Sequence, residues 1–200
     1  MALRKRRERN WFESDDHFNQ LYPPAIHSLS RDHWTPLSIA ERAAGFLAEG
    51  GRSNILDIGC GVGKFCLVAA FHFPHNNWFG IDQRANLITY AQSAKEIVQL
   101  ENVFFRLCNF TQVNFTDFDH FYFYNSFGEN LDPESRIDDT IAYSGDLYDY
   151  YTRYLRSQLD SRSPGARVAT LDSMGREIPL SYREVGSAFG GRLKLWIKSS

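Results

Sequence analysis

Asp57, Gly59, Gly61 and Gly63 stand at alternate positions in Ile55-Leu56-Asp57-Ile58-Gly59-Cys60-Gly61-Val62-Gly63-Lys64, a second acid follows at Asp82, and an Asn-Ser-Phe-Gly tetrapeptide begins at Asn125. Glycine has no Cβ, so its backbone can take positive φ and admit a ligand to contact distance. An apolar run that ends in an acid and turns through glycines reads as a strand feeding the start of a helix, where free N–H groups face whatever binds. The spacing narrows the ligand. A dinucleotide fingerprint opening at Gly59 and Gly61 needs a third glycine where Lys64 stands. A phosphate loop ending at Gly63-Lys64 needs glycine in place of Ile58 and Ser or Thr in place of Phe65. Both phosphate-binding patterns fail, and a loop suited to close approach rather than anion capture remains. The plain alternative is a glycine-rich turn behind a buried strand.

Asp82 closes the next apolar run, near the ~20-residue offset at which the acid ending a second strand meets a ribose in nucleotide-binding units. A carboxylate there accepts from both ribose hydroxyls more strongly than a neutral group; the alternative is an Asp capping the following helix. The Asp57-x-Gly59-x-Gly61-x-Gly63 run resembles the first motif of the class I S-adenosylmethionine-dependent methyltransferases, and Asp82 falls where that family holds the ribose. The family's cofactor carries no phosphate, which suits the loop. The resemblance implies that S-adenosyl-L-methionine, or its product S-adenosyl-L-homocysteine, is held by Asp57, Gly59, Gly61 and Gly63 at the methionine half and by Asp82 at the ribose. It puts Asn109 and Phe110 at the adenine, as polar and apolar partners, and adds Cys60, Gln83 and Thr35 to the cofactor contacts. For Asn109 a turn-forming role is the alternative.

The acceptor side is read from Asn125-Ser126-Phe127-Gly128, which ends an aromatic run at the carboxyl edge where ligands of parallel α/β sheets bind. An Asn there can accept from an amine and orient its lone pair, so Asn125 is the candidate catalytic residue. The tetrapeptide loosely resembles the Asn-Pro-Pro-aromatic motif of amino-group methyltransferases and the Asn-Asn-Phe of seven-strand histone-lysine enzymes. It has no proline, which argues against nucleic-acid adenine. An amino acceptor on a small molecule or protein side chain follows, ahead of hydroxyl or carboxyl; the alternatives are a non-catalytic binder of the cofactor or of an adenosine nucleotide, and an RNA methyltransferase.

The elements that must position these residues are legible from periodicity. Helices are expected over 36 to about 49, with Thr35 capping and Pro36 at the first position, and over 65–73, 85–100 and 146–159, the last with Leu147, Tyr151, Tyr154, Leu155 and Leu159 inward. Strands are expected over 55–58, 77–82, 102–107, 118–124 and 166–171, and 182–188 with 193–198 reads as a hairpin. With the resemblance, this gives a doubly wound, mostly parallel seven-stranded α/β sheet of order 3-2-1-4-5-7-6. Phe18, Leu21, Tyr22, Ile26 and Leu29 predict one or two short helices forming a lid over 11–34. The polar stretch 128–145 is long enough to border the substrate site, although a solvated loop also explains it.

Two hundred residues with 43% hydrophobic content suit one domain over 11–200. The net charge of −2 is unevenly placed: Arg4, Lys5, Arg6, Arg7 and Arg9 make a basic stretch, expected to be a mobile tail over 1–10, and the body is acidic. That balance makes nucleic acid an unexpected partner unless the tail recruits it. Cys60, Cys66 and Cys108 lie in apolar or cofactor-loop surroundings rather than at metal-ligand spacing, so no metal is expected and the thiols read as reduced, as in the cytoplasm. No apolar run approaches the ~20 residues of a bilayer span, and no signal peptide is expected.

Overall fold

The computed structural model describes residues 10–199, so most of the stretch expected to form a basic tail lies outside the described residues. The elements run α1 (Asp15–Asn19), a 3-10 segment (Pro24–Ser30), α2 (Leu37–Leu47), β1 (Asn54–Ile58), α3 (Lys64–His72), β2 (Asn77–Asp82), α4 (Ala85–Val98), β3 (Val103–Leu107), β4 (His120–Tyr124), α5 (Gly145–Asp160), β5 (Arg167–Leu171), β6 (Tyr182–Ala188) and β7 (Leu193–Lys198). All seven strands join one sheet in the order β3-β2-β1-β4-β5-β7-β6, as the sequence predicts. β1 to β5 pair in parallel with one another, and β7 runs antiparallel to both β5 and β6.

Alternation along the central strands divides the core into two layers. Ile55 and Tyr122 face the layer holding α2, α3 and α4, whereas Leu56, Ile58, Phe121 and Phe123 face the layer holding α5 and the turns around Phe110 and Phe115. Helix α3 is buried from Lys64 through Ala70, as expected of a helix that is apolar nearly all round. The segment before α2 covers it: the Phe12 ring stacks on Phe71 at 4.0 Å, and Phe18 is fully buried. At the far edge, β6 carries an irregularity between Glu184 and Gly186, the kind of kink that blunts an open edge against further pairing.

Two local expectations are corrected. Thr35 does not cap α2; Pro36 occupies the cap position without a side-chain bond, and the Leu37 N–H instead donates to Asp15 Oδ1 at 3.1 Å. The Thr35 hydroxyl turns inward to the Tyr122 hydroxyl at 2.9 Å, so the cap comes from α1. In α5 the fully buried positions are Tyr148, Thr152, Leu155 and Leu159, with Leu147, Tyr151 and Tyr154 only half-buried at the border. The stripe is rotated because Tyr151 and Tyr154 lean toward Phe110 at the carboxyl end of the sheet.

Candidate active site

The carboxyl ends of β1, β2 and β4 open into one cavity of about 170 Å³. Of the residues singled out from sequence, Gly59, Gly61, Asp82, Gln83, Phe110 and Asn125 line it. Beneath the glycine loop lies a second, small cavity of about 20 Å³, bordered by Thr35, Asp57 and Cys60 and sharing Gly59 with the first. It is large enough for about one water. Gly63 and Asn109 border neither.

Backbone geometry holds the glycine loop. The N–H groups of Gly59 and Cys60 both donate to the Ile81 carbonyl at 2.9 Å, and Gly61 N–H donates to Asp82 Oδ2 at 3.0 Å. Gly59 has φ of +78°, and a β-carbon there would collide with the Ser126 side chain. Ser126 Oγ in turn donates to the Ile58 carbonyl at 2.7 Å, which fastens the end of β4 to the end of β1. Gly61 has φ of +53° with nothing within 4 Å of its missing β-carbon, so its backbone is open to close approach. Gly63 sits at the α3 cap against the Phe105 ring.

Two buried carboxylates flank this loop. Burial pushes Asp57 up to about 8, against the opposing bond from the Cys66 thiol and with help from the charge of Asp82. Asp57 is therefore a neutral acid at pH 7. Asp82 is also raised by burial, although the N–H groups of Arg84 and Gly61 and the Arg84 charge pull the other way. Its Oδ1 accepts from Arg84 N–H at 2.9 Å.

Past the end of β3, Phe110 is buried against Phe127, Tyr151 and Tyr154. Asn109 serves the turn: its Oδ1 accepts from the N–H and hydroxyl of Thr111, and its Nδ2 donates to Gln83 Oε1 and the Tyr151 hydroxyl, both at 2.9 Å. Asn125 has φ of +36°, a left-handed backbone that Asn tolerates better than most residues. Its Oδ1 is buried without a hydrogen-bond partner among the described residues. A β-carbon on Gly128 would meet the Asn125 amide nitrogen at 2.7 Å, so the glycine of the tetrapeptide makes room for the asparagine.

The principal residue that sequence reasoning missed is Arg84, 5% exposed. Its Nη2 donates to Glu129 Oε2 at 2.6 Å and to the Tyr143 hydroxyl at 2.7 Å, and its Nε donates to Asp138 Oδ1 at 3.2 Å. Glu129 Oε2 also accepts from Ile137 N–H at 3.0 Å. The polar stretch after β4 therefore borders the cavity and is tied to Arg84 through Glu129, Asp138 and Tyr143, while residues 131–134, 139 and 140 between these ties are exposed. The readable signal was an arginine directly after the β2 acid and a later stretch rich in acids. On the opposite rim, the Tyr22 hydroxyl donates to the Val62 carbonyl at 2.9 Å, and buried Lys64 pairs with Asp15 and donates to Asn19 Oδ1 at 3.2 Å. Lys64, at the Walker position, is a strut for the covering segment.

Among the described residues, no group of three or more His, Cys, Asp or Glu side chains could hold a metal, and no helix is long and apolar enough to cross a membrane. Residues 50–141 match the family model of a methyltransferase domain. No curated protein matches the chain in sequence. Among solved structures, an RNA methyltransferase from Salinibacter ruber in complex with S-adenosyl-L-homocysteine superposes with a TM-score of 0.56 at 21% identity, covering 84% of this chain and 94% of that one. TrmN from Thermus thermophilus gives 0.60 at 17% identity over 83% of this chain and 49% of its own, and monomeric WbdD gives 0.59 at 18% over 90% and 48%. The chain thus spans about half the length of the latter two. With residues 50–141 matching a methyltransferase domain and the sheet ordered β3-β2-β1-β4-β5-β7-β6, the chain has the Rossmann-like fold of the class I S-adenosylmethionine-dependent methyltransferases.

Proposed function

We propose that the protein is an S-adenosylmethionine-dependent methyltransferase whose acceptor is an amine, on a small molecule or a protein side chain. The observation that carries the acceptor class is the buried, unpartnered Oδ1 of Asn125, a residue that lines the same cavity as Gly59, Gly61 and Asp82. An amine N–H supplies the donor that this oxygen lacks, and accepting it orients the nitrogen lone pair. Charge supports the same class: Asp32, Asp82 and Glu129 line the cavity, and the Arg84 guanidinium is already engaged by carboxylates. Among the described residues, an anionic acceptor would meet no uncommitted arginine or lysine there.

The residues fit the cofactor on their own geometry. Gly61 leaves the space that close backbone approach requires, and each Asp82 oxygen keeps acceptor capacity beyond its one backbone bond. Asp57 and Thr35 flank the methionine end, with Gly59, Cys60, Gly61 and Gly63 forming the turn. Asp82 and Gln83 meet the ribose, and Phe110 packs on the adenine with Asn109 steadying Gln83. When bound, the sulfonium supplies an activated methyl group for in-line transfer. The chain's own contribution is alignment and exclusion of water under the Arg84-tied segment. Three free, buried cysteines suit a reducing compartment, and we place the protein in the cytoplasm.

Calorimetry with S-adenosylhomocysteine tests the cofactor reading: wild type binds, and Asp82→Ala loses about 100-fold in affinity, the scale of two charge-assisted bonds at about 1.5 kcal/mol each. Unchanged binding in the variant removes the ribose assignment. Mass spectrometry of cell extract incubated with labelled S-adenosylmethionine identifies the acceptor; saturable binding with no transfer makes the protein a binding module instead. RNA is the second reading, favoured by the Salinibacter ruber match and the basic residues of 4–9. It requires RNA affinity that falls steeply with salt and is lost on deleting residues 2–9.

A further inference from the structure

We propose that His33 takes the proton from the methyl acceptor, an inference that rests on the methyltransferase reading above. His33 ends the covering segment, immediately before Trp34-Thr35-Pro36, and lines both cavities, the large one that Asn125 also lines and the small one that Asp57 also lines. Its ring nitrogens meet no hydrogen-bond partner among the described residues.

The other titratable groups of the large cavity are committed or unsuited. Asp82 accepts two backbone N–H groups, Glu129 accepts from Arg84 and Ile137, and Arg84 donates through Nε and Nη2. The Tyr124 hydroxyl donates to the Asp32 carbonyl, Tyr143 lies between Arg84 and Glu129, and Tyr151 accepts from Asn109. Burial raises the Cys108 thiol, so it already holds its proton at neutral pH. The Asp32 residue is exposed at the rim. His33 alone is partly buried, basic and unengaged.

Its surroundings suit a base that starts neutral. Burial lowers His33 below the ordinary histidine value; Arg84, at the start of α4, reinforces this, while Glu129 and Asp32 oppose it. Asp57, Cys60, Lys64 and Tyr122 border the small cavity on its other side, with Asp57 neutral and Lys64 paired to Asp15. The ring is therefore uncharged at pH 7, and the Glu129 and Asp32 carboxylates favour the imidazolium once a proton arrives. The acceptor's ammonium gives one N–H proton to a His33 ring nitrogen and keeps the electron pair. That pair forms the new N–C bond as the methyl carbon parts from sulfur, whose bonding electrons stay on sulfur. The methylated nitrogen carries the positive charge, and His33 returns its proton to solvent.

His33→Gln keeps polarity and approximate size but cannot carry the proton. Its S-adenosylhomocysteine affinity by calorimetry is expected to stay within about threefold of wild type, because His33 is not among the cofactor contacts. Histidine-ring NMR of the wild-type complex, with the His33 signal assigned by its absence in His33→Gln, is expected to titrate below the ordinary value of about 6.5. Labelled methyl transfer into cell extract is expected to rise with pH through that midpoint and then level off. In His33→Gln it is expected to be about 100-fold slower at pH 7 and to recover as pH rises. A variant with wild-type rate and pH profile overturns the proposal, as does a His33 ring still charged at pH 8. So does a variant that no longer binds S-adenosylhomocysteine, since that marks a structural role. A wild type that binds the cofactor product but transfers no label at any pH overturns the methyltransferase reading, and His33 with it.

Discussion

The two walls of the large cavity are held in different ways. On the glycine-loop side the backbone sets position: Gly59, Cys60 and Gly61 N–H groups are fixed by the Ile81 carbonyl and Asp82. On the opposite side, the segment after β4 is held by side chains, with one guanidinium gathering Glu129, Asp138 and Tyr143 from across the chain. A backbone-built wall demands particular residue types at fixed spacing and is rigid from the start. A wall hung on one arginine can take many sequences, and its geometry depends on a few contacts.

That contrast can be broken most sharply at Arg84. Arg84→Gln leaves the Glu129 and Asp82 carboxylates buried without their cation, at an expected cost of about 3–5 kcal/mol. The loss should be read as a lowered Tm and as new proteolytic cleavage within 128–144; cleavage there with the glycine-loop wall still protected sharpens the comparison, and uniform unfolding abolishes it.

The effect expected beneath the glycine loop is spread across pH instead of concentrated in one contact. Asp57 titrates near 8 when folded and in the ordinary carboxylate range when unfolded, so the folded state binds its proton more tightly. Its contribution is full below pH 4 and declines as pH rises to about 8, on the scale of about 1.4 kcal/mol per unit of pH. Asp57→Asn should flatten the stability profile across that window in denaturant titrations; an unchanged slope means that Asp57 is ionised in the folded protein. The mildest change is Thr35→Val, which leaves the Tyr122 hydroxyl alone in the core and should cost about 1 kcal/mol in the same titrations. A loss of S-adenosylhomocysteine affinity larger than the loss of stability would show that Thr35 also touches the cofactor.

The same contrast explains what could be read from sequence. The five parallel strands and the closing hairpin lie within a residue or two of their expected bounds, because apolar runs between glycine and polar turns report burial directly. Gly59, Gly61 and Asp82 were legible because a tight turn and a strand-end acid leave type and spacing behind. The Thr35 hydroxyl was misread because local sequence does not reveal that Asp15, 22 residues before Leu37, supplies the cap. Arg84 was invisible for a related reason: its partners lie 45 to 59 residues downstream in no periodic relation, although the acids among them were noticed. His33 stands two residues before the expected Thr35-Pro36 helix start, and nothing in its neighbours says that it would line both cavities.

The pairing of Lys64 with Asp15 bears on the order in which the chain can fold during synthesis. Asp15 leaves the ribosome 49 residues ahead of the lysine that anchors it, and Phe12 even further ahead of the Phe71 ring on which it stacks. The N-terminal segment must therefore wait, unpartnered, until β1 and α3 have emerged, and then close over them as one of the later steps. A delay in making the glycine loop would be felt first by a part of the protein that had already been made.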